Sequence, residues 1–540
     1  MRPVPALPLA AAALSVVLGL VLAGCGQSGD AAPESPAPGA SVSSGTASTA
    51  DPAAGDPTSA GTGRAGATPA YGAGKAAAVC GSALLDGPAE APAGAVVVGP
   101  GQRLDETVEE HPAGTTYYLT AGVHTLGGGA YSQVQPKTGD AFVGAPGAVL
   151  DGRRTNRYAF GGQASGVTIR TLTIQHFGTR LQNRDEGVVN HDAGAGWTLR
   201  GVDVRENGGA GVMLGDGAVV EDSCLERNGQ YGFNAYRPDG VHDVRLVHNE
   251  IAFNNTADWE RRVDGCGCTG GGKFWATRDA VVEDNNVHDN HGVGVWADTN
   301  NTGFLLTDNT FADNDGPGVM YETSYNARIT HNTFTRNAVT VGHDVDFPEP
   351  ALYLSESGAD RRAGATYGDA LLVSANLFTD NWSGVVLWEN ADRFAGSPAN
   401  SSSGATTLVA PGVATAAACG TAAVVRTKPY VDDCRWKTQH VRVEDNRFVL
   451  HPDHIPGCTA AASGCGFVGL FSQWGTYPDW SPFKGAVVED AVTLHQDNRF
   501  TGNSYAGPWR FMVHELGNAV EWDAWRSAPY AQDAGSTLTP

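Results

Sequence analysis

The stretch Asn309-Thr-Phe-Ala-Asp-Asn314 decides the fold, because its six-residue pattern returns along the chain. The pattern has Asn at both ends and one apolar residue at its third position. Successive copies begin at Asn285, Asn309 and Asn332, which are 24 and 23 residues apart. Full copies also begin at Asn249 and Asn376, and degenerate copies end at Asn207 and Asn228 or begin at Asn446 and Asn498. A period of this length predicts a solenoid.

Two further short strands accompany each copy of the repeat. One follows it, as in Gly294-Val-Trp296 and Gly318-Val-Met320, and another precedes it, as in Arg328-Ile-Thr330. Three strands per coil of roughly 22 residues is the layout of a parallel β-helix, whose coils stack at about 4.8 Å. We expect the Asn side chains to stack at the corners, where they tolerate left-handed backbone and bond along a ladder. Leucine-rich and helical repeats are excluded, because the pattern has neither Leu at their fixed positions nor helical periodicity.

Several other segments resemble the right-handed parallel β-helix proteins of the pectate-lyase-like superfamily, in particular a bacterial lipoprotein branch. They are Tyr117–His124, Gly147–Gly152, Gly270–Lys273, Gly292–Asp298, Gly316–Tyr325 and Gln532–Ser536. The resemblance covers roughly residues 90 to 537. It implies an all-β, single-stranded, right-handed parallel β-helix with three short strands per coil and long loop insertions. It implies no single activity, since the superfamily contains lyases, hydrolases, epimerases and non-enzymes.

The first 25 residues are typical of an export signal. Arg2 supplies a positive charge, and the run Leu9–Leu22 is apolar but too short to span a bilayer comfortably. The sequence Leu22-Ala-Gly-Cys25 resembles the lipobox of bacterial lipoproteins, which implies cleavage before Cys25 and lipidation of its thiol. An ordinary secretory signal with a chance cysteine is the alternative. Residues 26–78 are Ala, Gly, Ser, Thr, Pro and Asp with few bulky apolar side chains, so we predict a disordered tether.

The β-helix domain is predicted over residues 79–540, with a loop insertion at about 395–437 and a C-terminal cap at about 504–540. Eight cysteines remain besides Cys25, and an even number on an exported chain favours disulfides. Their connectivity stays open, although the close pairs Cys419/Cys434 and Cys458/Cys465 would each close a local loop. Cys266-Gly-Cys268 lacks the spacing and the partner ligands of a usual zinc site.

The charge balance limits the partners of this protein. The chain has 35 basic and 58 acidic residues, for a net charge of -23. Such a surface repels nucleic acid and anionic membranes. We therefore predict no nucleic-acid partner, a monomer in the bacterial cell envelope outside the cytoplasm, and membrane contact only through the lipid anchor.

The register of the strand after each corner predicts which side chains share a face. The fifth position beyond the corner Asn should point inward, and the sixth and eighth should point outward together. The inward residues are Val212, Phe233, Val295, Val319 and Val386. The outward residues that matter for chemistry are Tyr236, Trp296, Asp298, Glu322 and Glu389. In two coils with long loops the register is counted back from the next corner: from Asn285 it adds Lys273 and Trp275, and from Asn376 it adds Tyr353 and Ser355. Insertions at Thr256–Gly272 and Val339–Pro350 should form walls beside this face.

Aromatic rings and carboxylates in one groove suit a sugar polymer, because rings stack on pyranoses and carboxylates accept hydrogen bonds from hydroxyls. We predict Trp275, Trp296, Tyr236 and Tyr325 as substrate-binding residues, and Asp298, Glu322, Glu389 and Lys273 as catalytic residues. A row of like charges can also be a merely solvated face, but exposed Trp residues argue against this.

Two chemistries compete for these residues. In a hydrolase, Asp298 and Glu322 on adjacent coils would approach to about 5 Å, as in a retaining pair, whereas Glu389 would lie farther away. In a lyase or epimerase, Lys273 would be the base or would bind the uronate carboxylate. Because an acidic surface fits polyuronate poorly, hydrolysis is preferred.

Metal ligands are less clearly marked. We assign no metal-binding residue, although Ca²⁺ could bind near Asp344 and Asp346, where loop carboxylates cluster. The histidines are scattered, and His288 is expected to cap a turn.

Three functions follow from the sequence: a surface-anchored enzyme that cleaves or modifies a polysaccharide, a non-catalytic glycan-binding lipoprotein, or a structural spacer. The identity of the sugar stays open.

Overall fold

The computed structural model describes residues 71–178, 187–262, 267, 270–345, 347–390, 393–397, 407–459, 464–473, 477–514 and 519–540. The predicted signal, Cys25 and most of the tether lie outside the described residues, so export and lipidation stay predictions. No helix in the described part is both long and apolar enough to cross a bilayer.

Three sheets confirm the all-β parallel β-helix with three strands per coil. Their strands pair in parallel, except that Ala519–Val520 is antiparallel to Arg510–His514, and the third sheet begins only at Gly187. Sheet 1 contains Val96–Val98, Thr116–Leu119, Ala141–Gly144, Thr168–Arg170, Thr198–Arg200, Val219–Glu221, Val241–His242, Arg245–Val247, Thr277–Arg278, Val281–Glu283, Thr302–Thr307, Tyr325–Thr330, Leu371–Ser374, Val441–Glu444 and Arg499–Thr501. Sheet 2 contains Gly122–His124, Ala148–Asp151, Thr173–Gln175, Asp203–Arg205, Cys224–Glu226, Glu250–Ala252, Asn286–His288, Thr310–Ala312, Thr333–Thr335, Leu377–Thr379, Arg447–Val449, Ser504–Ala506 and Thr537–Thr539. Sheet 3 contains Gly187–Val189, Ala210–Leu214, Phe233–Ala235, Gly272–Trp275, Val295–Asp298, Val319–Glu322, Pro350–Ser355, Ser383–Asn390, Phe467–Gln473, Arg510–His514 and Ala519–Val520.

Short helices lie between the strands. The α-helices are Leu104–Glu110, Trp259–Arg262, Val339–Val345, Ala416–Cys419, Tyr430–Asp433, Ala486–Asp490 and Trp522–Arg526. Two 3-10 turns, Ala83–Leu85 and Pro452–His454, and a π-helical turn, Ala491–His495, complete the described helical segments.

The core consists of side-chain columns along the solenoid axis. The third residue of the repeat forms one column, in which the rings of Phe311, Phe334, Phe378, Phe448 and Tyr505 stack with centroids 4.7–5.0 Å apart. The last ring belongs to a copy that begins at Asn503, the ladder partner of Asn446, and not at Asn498 as predicted. The column ends against Trp509 and Phe511, which contact the ring of Tyr505 edge-on. Apolar side chains at one fixed position of the repeat therefore fill the interior of successive coils.

Buried Asn side chains form two ladders at the corners of sheet 2, as the repeat predicts. In each step, the backbone N–H and Nδ2 of one Asn donate to Oδ1 of the Asn on the next coil, as from Asn309 to Asn332 at 3.0 and 2.9 Å. One ladder runs Asn249–Asn285–Asn309–Asn332–Asn376–Asn446–Asn503, and the other runs Asn207–Asn228–Asn254–Asn290–Asn314–Asn337–Asn381.

The backbone at these corners corrects one expectation. The residue before the ladder Asn is left-handed, as at Asp308 (φ 57°) and Asp313 (φ 54°), whereas the Asn residues are not. Asn is therefore needed at the corner for its amide hydrogen bonds and not for left-handed backbone.

Three disulfides are present in the described part of the chain: Cys80–Cys224, Cys419–Cys434 and Cys458–Cys465. The last two confirm the predicted local pairs. The first joins the segment before the solenoid to a sheet 2 strand. Cys266 and Cys268 lie outside the described residues.

Candidate functional site

The outer face of sheet 3 brings together most of the predicted site residues. Lys273 pairs in register with Trp296, and Trp275 pairs with Asp298. Asp298 pairs in turn with Glu322, which is followed on the next strand by Ser355. The sequence register is thus confirmed over the four strands from Gly272–Trp275 to Pro350–Ser355.

The predicted register is wrong on the next strand. Val386 pairs with Tyr353 and not with an inward residue, so Trp388 and not Glu389 shares the row of Ser355. The inward residue is Val385, four positions beyond Asn381, whereas Val319 lies five beyond Asn314. This corner is one residue shorter, and a slip of one residue moves every side chain to the other face.

Glu389 is consequently a structural anchor in this geometry. It is completely buried, and its carboxylate pairs with Arg435. It also accepts hydrogen bonds from the Thr438 backbone N–H at 2.8 Å and from Gln496 Nε2 at 2.6 Å. The carboxylate therefore holds the end of the 395–437 insertion against the solenoid.

Lys273 and Asp298 form a buried ion pair at the centre of the face. The Lys273 Nζ lies 2.7 Å from Asp298 Oδ2 and donates to the Gly267 carbonyl at 2.8 Å. The ammonium also lies 4.2 Å from the centroid of the Trp296 ring, in a cation–π contact. Asp298 Oδ1 accepts a further hydrogen bond from the Thr299 hydroxyl at 2.7 Å.

Glu322 lies beside this pair and contacts a second cation. Its Oε2 accepts a hydrogen bond from Trp296 Nε1 at 3.1 Å, and its Oε1 pairs with Arg393. Arg393 also lies 3.5 Å from Glu356, a carboxyl that follows Ser355. Burial raises the pKa of Glu322, although Arg393 opposes the shift. Burial likewise raises the pKa of Glu356 to about 7.

The aromatic side chains differ in exposure along the face. The expectation of exposed Trp residues is wrong for Trp296, which is only 4% exposed and packs with Met320, Tyr353 and Trp388. Tyr236 and Trp275 are half-buried, with their rings in an edge contact at 6.3 Å. The accessible aromatic part of the face is therefore at the Tyr236 and Trp275 end.

Tyr325 lies apart from the other predicted residues. It belongs to a sheet 1 strand and is buried under the 395–437 insertion. Its hydroxyl donates to the Lys437 carbonyl and accepts from the Lys437 N–H, both at 2.8 Å. The ring contacts Trp436 edge-on at 4.7 Å. The geometry does not bring Tyr325 to the candidate face.

Four charged residues of the site were missed by the sequence analysis: Glu349, Glu356, Arg393 and Arg435. Arg435 comes from the 395–437 insertion and Arg393 lies just before it, and both make their contacts over long sequence distances. Glu356 had a local signal, since it directly follows the predicted outward residue Ser355.

Glu349 is a buried carboxyl beside the candidate face. It precedes the strand Pro350–Ser355, and its charge is one of those that raise the pKa of the buried Tyr353. Burial raises the pKa of Glu349 itself from its ordinary value of 4.5 to about 7. Stability from a carboxyl with a raised pKa is fully present below pH 4.5 and is lost as the pH rises through 7.

We expect Glu349→Gln to change the free energy of unfolding, relative to the unchanged chain, by about 3 kcal/mol more in the stabilising direction at pH 8 than at pH 4. The amide cannot ionise, so the cost of a buried charge at high pH disappears. Urea unfolding at both pH values measures this difference. Glu444→Gln, at a half-buried position on sheet 1, is the control and should show less than about 0.5 kcal/mol. A pH-independent effect of Glu349→Gln would contradict the prediction.

The predicted calcium position is only partly described. Asp344 lies on the helix Val339–Val345, with Oδ1 at 3.4 Å from His343 Nδ1. Asp346 lies outside the described residues, so calcium binding there stays a prediction. His288 contacts the carboxylates of Asp289 at 2.7 Å and of Glu250 at 3.2 Å, so its expected role in capping a turn stays a prediction.

Comparisons with known proteins agree with the fold. A family model described as "Right handed beta helix region" matches residues 186–359. No curated protein sequence matches the chain.

Several solved structures match parts of the chain at low identity. The A-module of the mannuronan C-5 epimerase AlgE4 from Azotobacter vinelandii is 16% identical, with a TM-score of 0.37, and the match covers 53% of this chain and 87% of that one. The surface adhesin PfbA of Streptococcus pneumoniae is 11% identical, with a TM-score of 0.32, over 53% of this chain and 81% of that one. The catalytic unit of the GH87 α-1,3-glucanase of Streptomyces thermodiastaticus is 14% identical, with a TM-score of 0.34, and the match covers 56% of this chain and 63% of that one. We infer no activity from likeness at this level.

Proposed function

We propose that this chain is a carbohydrate-active protein that binds an extended polysaccharide along the outer face of sheet 3 and hydrolyses it. One observation carries the proposal: Asp298 and Glu322 are in-register neighbours on adjacent strands, beside the half-buried rings of Tyr236 and Trp275. The rings can stack on sugar faces, while the carboxyls act on the glycosidic bond.

The spacing of the strands supports a retaining hydrolase. Adjacent strands lie about 4.8 Å apart, which is close to the separation of about 5 Å between the two carboxyls of retaining glycosidases. Burial raises the pKa of Glu322, so this carboxyl suits the general acid. Asp298, oriented by Lys273 and Thr299, suits the nucleophile.

The contacts of Lys273 favour hydrolysis over β-elimination or epimerisation. A general base must accept a proton, whereas the Lys273 ammonium donates to Asp298 and to the Gly267 carbonyl. In our proposal Lys273 therefore orients Asp298, and Glu389 anchors the insertion through Arg435.

A non-catalytic glycan-binding protein is the second candidate. It is favoured by the pairing of carboxylates on or beside the face with cations: Asp298 with Lys273, Glu322 with Arg393, and Glu389 with Arg435. Such pairing neutralises charge and leaves the aromatic end to hold the sugar.

We place the chain outside the cytoplasm, because its disulfides require an oxidising compartment. Lipid anchoring through Cys25 is part of the same proposal.

We expect Glu322→Gln to lower kcat by at least about a hundredfold, because a general acid contributes that much or more. The full chain is incubated with plant, algal and bacterial-wall polysaccharides. New reducing ends report hydrolysis, and ultraviolet absorbance of unsaturated uronates reports a lyase. Asp298→Asn should lose turnover to a similar extent.

The matched control is Glu444→Gln, which changes a half-buried glutamate on sheet 1 and should keep full activity. If the unchanged protein binds a polysaccharide, Trp275→Ala does not bind it, and no variant forms products, the result would support the glycan-binding protein instead. If Glu322→Gln keeps its turnover, the Glu322 carboxyl is not the general acid.

A further inference from the structure

One of the two Asn ladders stops at a corner outside the candidate face. Asn337 donates to Asn381 Oδ1 in the last step of this ladder, at 3.0 Å from Nδ2. The next coil has His451 where the repeat calls for Asn. The His451 ring does not continue the ladder, because its Nδ1 lies 2.9 Å from Asp380 Oδ1.

A second imidazole converges on the same carboxylate. His454 Nδ1 lies 2.9 Å from Asp380 Oδ2, and the centroids of the two imidazole rings are 4.8 Å apart. One atom of each of the three side chains lies within 4.8 Å of the other two. Other described His–Asp contacts, such as His248 with Asp222 and His440 with Asp497, bring a single imidazole to the carboxylate.

We propose that Asp380, His451 and His454 bind a divalent transition-metal ion, with Zn²⁺ preferred. Two imidazole nitrogens and one carboxylate oxygen form a usual zinc ligand set, in which water occupies the fourth position. Ca²⁺ and Mg²⁺ require mainly oxygen ligands, so this set does not suit them.

The rigidity of the site differs between its ligands. Asp380 is buried at a left-handed corner (φ 51°), and its Oδ1 also accepts the His451 backbone N–H at 2.8 Å. His451 immediately precedes the 3-10 turn Pro452–His454, and His454 is the last residue of that turn, with a side chain that is 62% exposed. The Cys458–Cys465 disulfide closes the loop that follows.

This arrangement lets a metal ion enter with a small movement. Ligand atoms about 2.1 Å from a tetrahedral zinc are about 3.4 Å apart. Asp380 Oδ2 lies 3.2 Å from His451 Nδ1 and 2.9 Å from His454 Nδ1, so around this one oxygen the two contacts must open by about 0.2 and 0.5 Å. The exposed imidazoles can supply this movement while the carboxylate stays fixed.

The test is calorimetric titration of the full, chelator-stripped chain with ZnCl₂ alone. We expect one binding event that is lost or weakened more than about 100-fold in His454→Ala and in His451→Ala, since even changes around metal ligands cost 10- to 100-fold. His248→Ala is the matched control, because it removes an imidazole at the same 2.9 Å from an Asp and should leave the titration unchanged. CaCl₂ should give no binding at this site.

An unchanged titration in both histidine variants would overturn the proposal. If Asp380 only forms hydrogen bonds with the two imidazoles and no metal binds there, the zinc titration should be the same in all chains. The histidine variants should then differ only in a lower unfolding temperature. If an alanine variant does not fold, His454→Gln, which keeps the size and polarity of the side chain, replaces it. Zn²⁺ should raise the unfolding temperature of the unchanged chain and of His248→Ala, but not that of His454→Gln.

Discussion

We expect Asn332→Ala to lower the free energy of unfolding by about 3–5 kcal/mol, because it leaves several buried polar groups without partners. Asn332 is fully buried in its ladder. Its Oδ1 accepts hydrogen bonds from the backbone N–H and Nδ2 of Asn309, and its Nδ2 donates to the Leu306 carbonyl at 2.9 Å. Alanine can replace none of these contacts, and water cannot reach the groups they leave behind.

Urea unfolding of the full chain, followed by tryptophan fluorescence, measures this loss. Asn286→Ala is the matched control, since Asn286 is half-buried outside the ladder and donates to the Ala77 carbonyl at 3.1 Å. We expect the control to lose no more than about 1 kcal/mol. Equal losses in the two variants would mean that the ladder contributes no more than an ordinary side-chain hydrogen bond.

The same ladder explains why the fold could be predicted from sequence. Each coil must present an amide at the corner and an apolar ring inward, so Asn309 and Phe311 recur with their neighbours at a short, visible period. The information is local, and it is repeated in every coil. The prediction of three parallel strands per coil was therefore confirmed for the described coils from Gly187 onward, where sheet 3 begins.

The sequence predicts which residues of sheet 3 point outward only where the number of residues between the ladder Asn and the next strand stays the same. Counting from Asn285 and Asn314 placed Lys273, Trp275 and Glu322 correctly on the outer rows. The corner after Asn381 is one residue shorter, and nothing in the repeat marks the deletion. Because side chains alternate along a strand, that single residue placed Glu389 in the wrong row.

Burial of the face could not be predicted, because it depends on contacts between distant parts of the chain. Arg393 meets Glu322 over 71 residues, and Arg435 meets Glu389 over 46. Arg393 lies just before the 395–437 insertion and Arg435 lies within it, where no periodicity of the sequence indicates position. The ion pairs that cover the carboxylates, and the raised pKa values of Glu349 and Glu356, therefore emerged only from the structure.

We expect Arg393→Met to lower the free energy of unfolding at pH 8 by about 3–5 kcal/mol, because removing one partner of a buried ion pair leaves a charge uncompensated. Arg393 is the cation shared by Glu322 and Glu356, and all three side chains are buried. Methionine keeps much of the volume but supplies no charge. Arg393 opposes the raised pKa of both carboxyls, so without it each pKa should rise further.

The sign of the pH dependence follows from these raised values. A carboxyl whose folded pKa lies above its unfolded value stabilises the protein at low pH and loses that stabilisation as the pH rises through the folded pKa. The deficit of Arg393→Met should therefore be small at pH 5 and full at pH 8 in urea unfolding.

A second substitution and a surface control separate charge from packing. Adding Glu322→Gln to Arg393→Met should recover part of the loss at pH 8, because one of the two stranded carboxylates becomes neutral. Arg245→Met removes an exposed arginine 3.8 Å from Glu283 on sheet 1 and should change stability by less than about 1 kcal/mol. A deficit for Arg393→Met that is equal at pH 5 and pH 8 would mean that the arginine stabilises the fold by packing and not by neutralising the buried carboxylates.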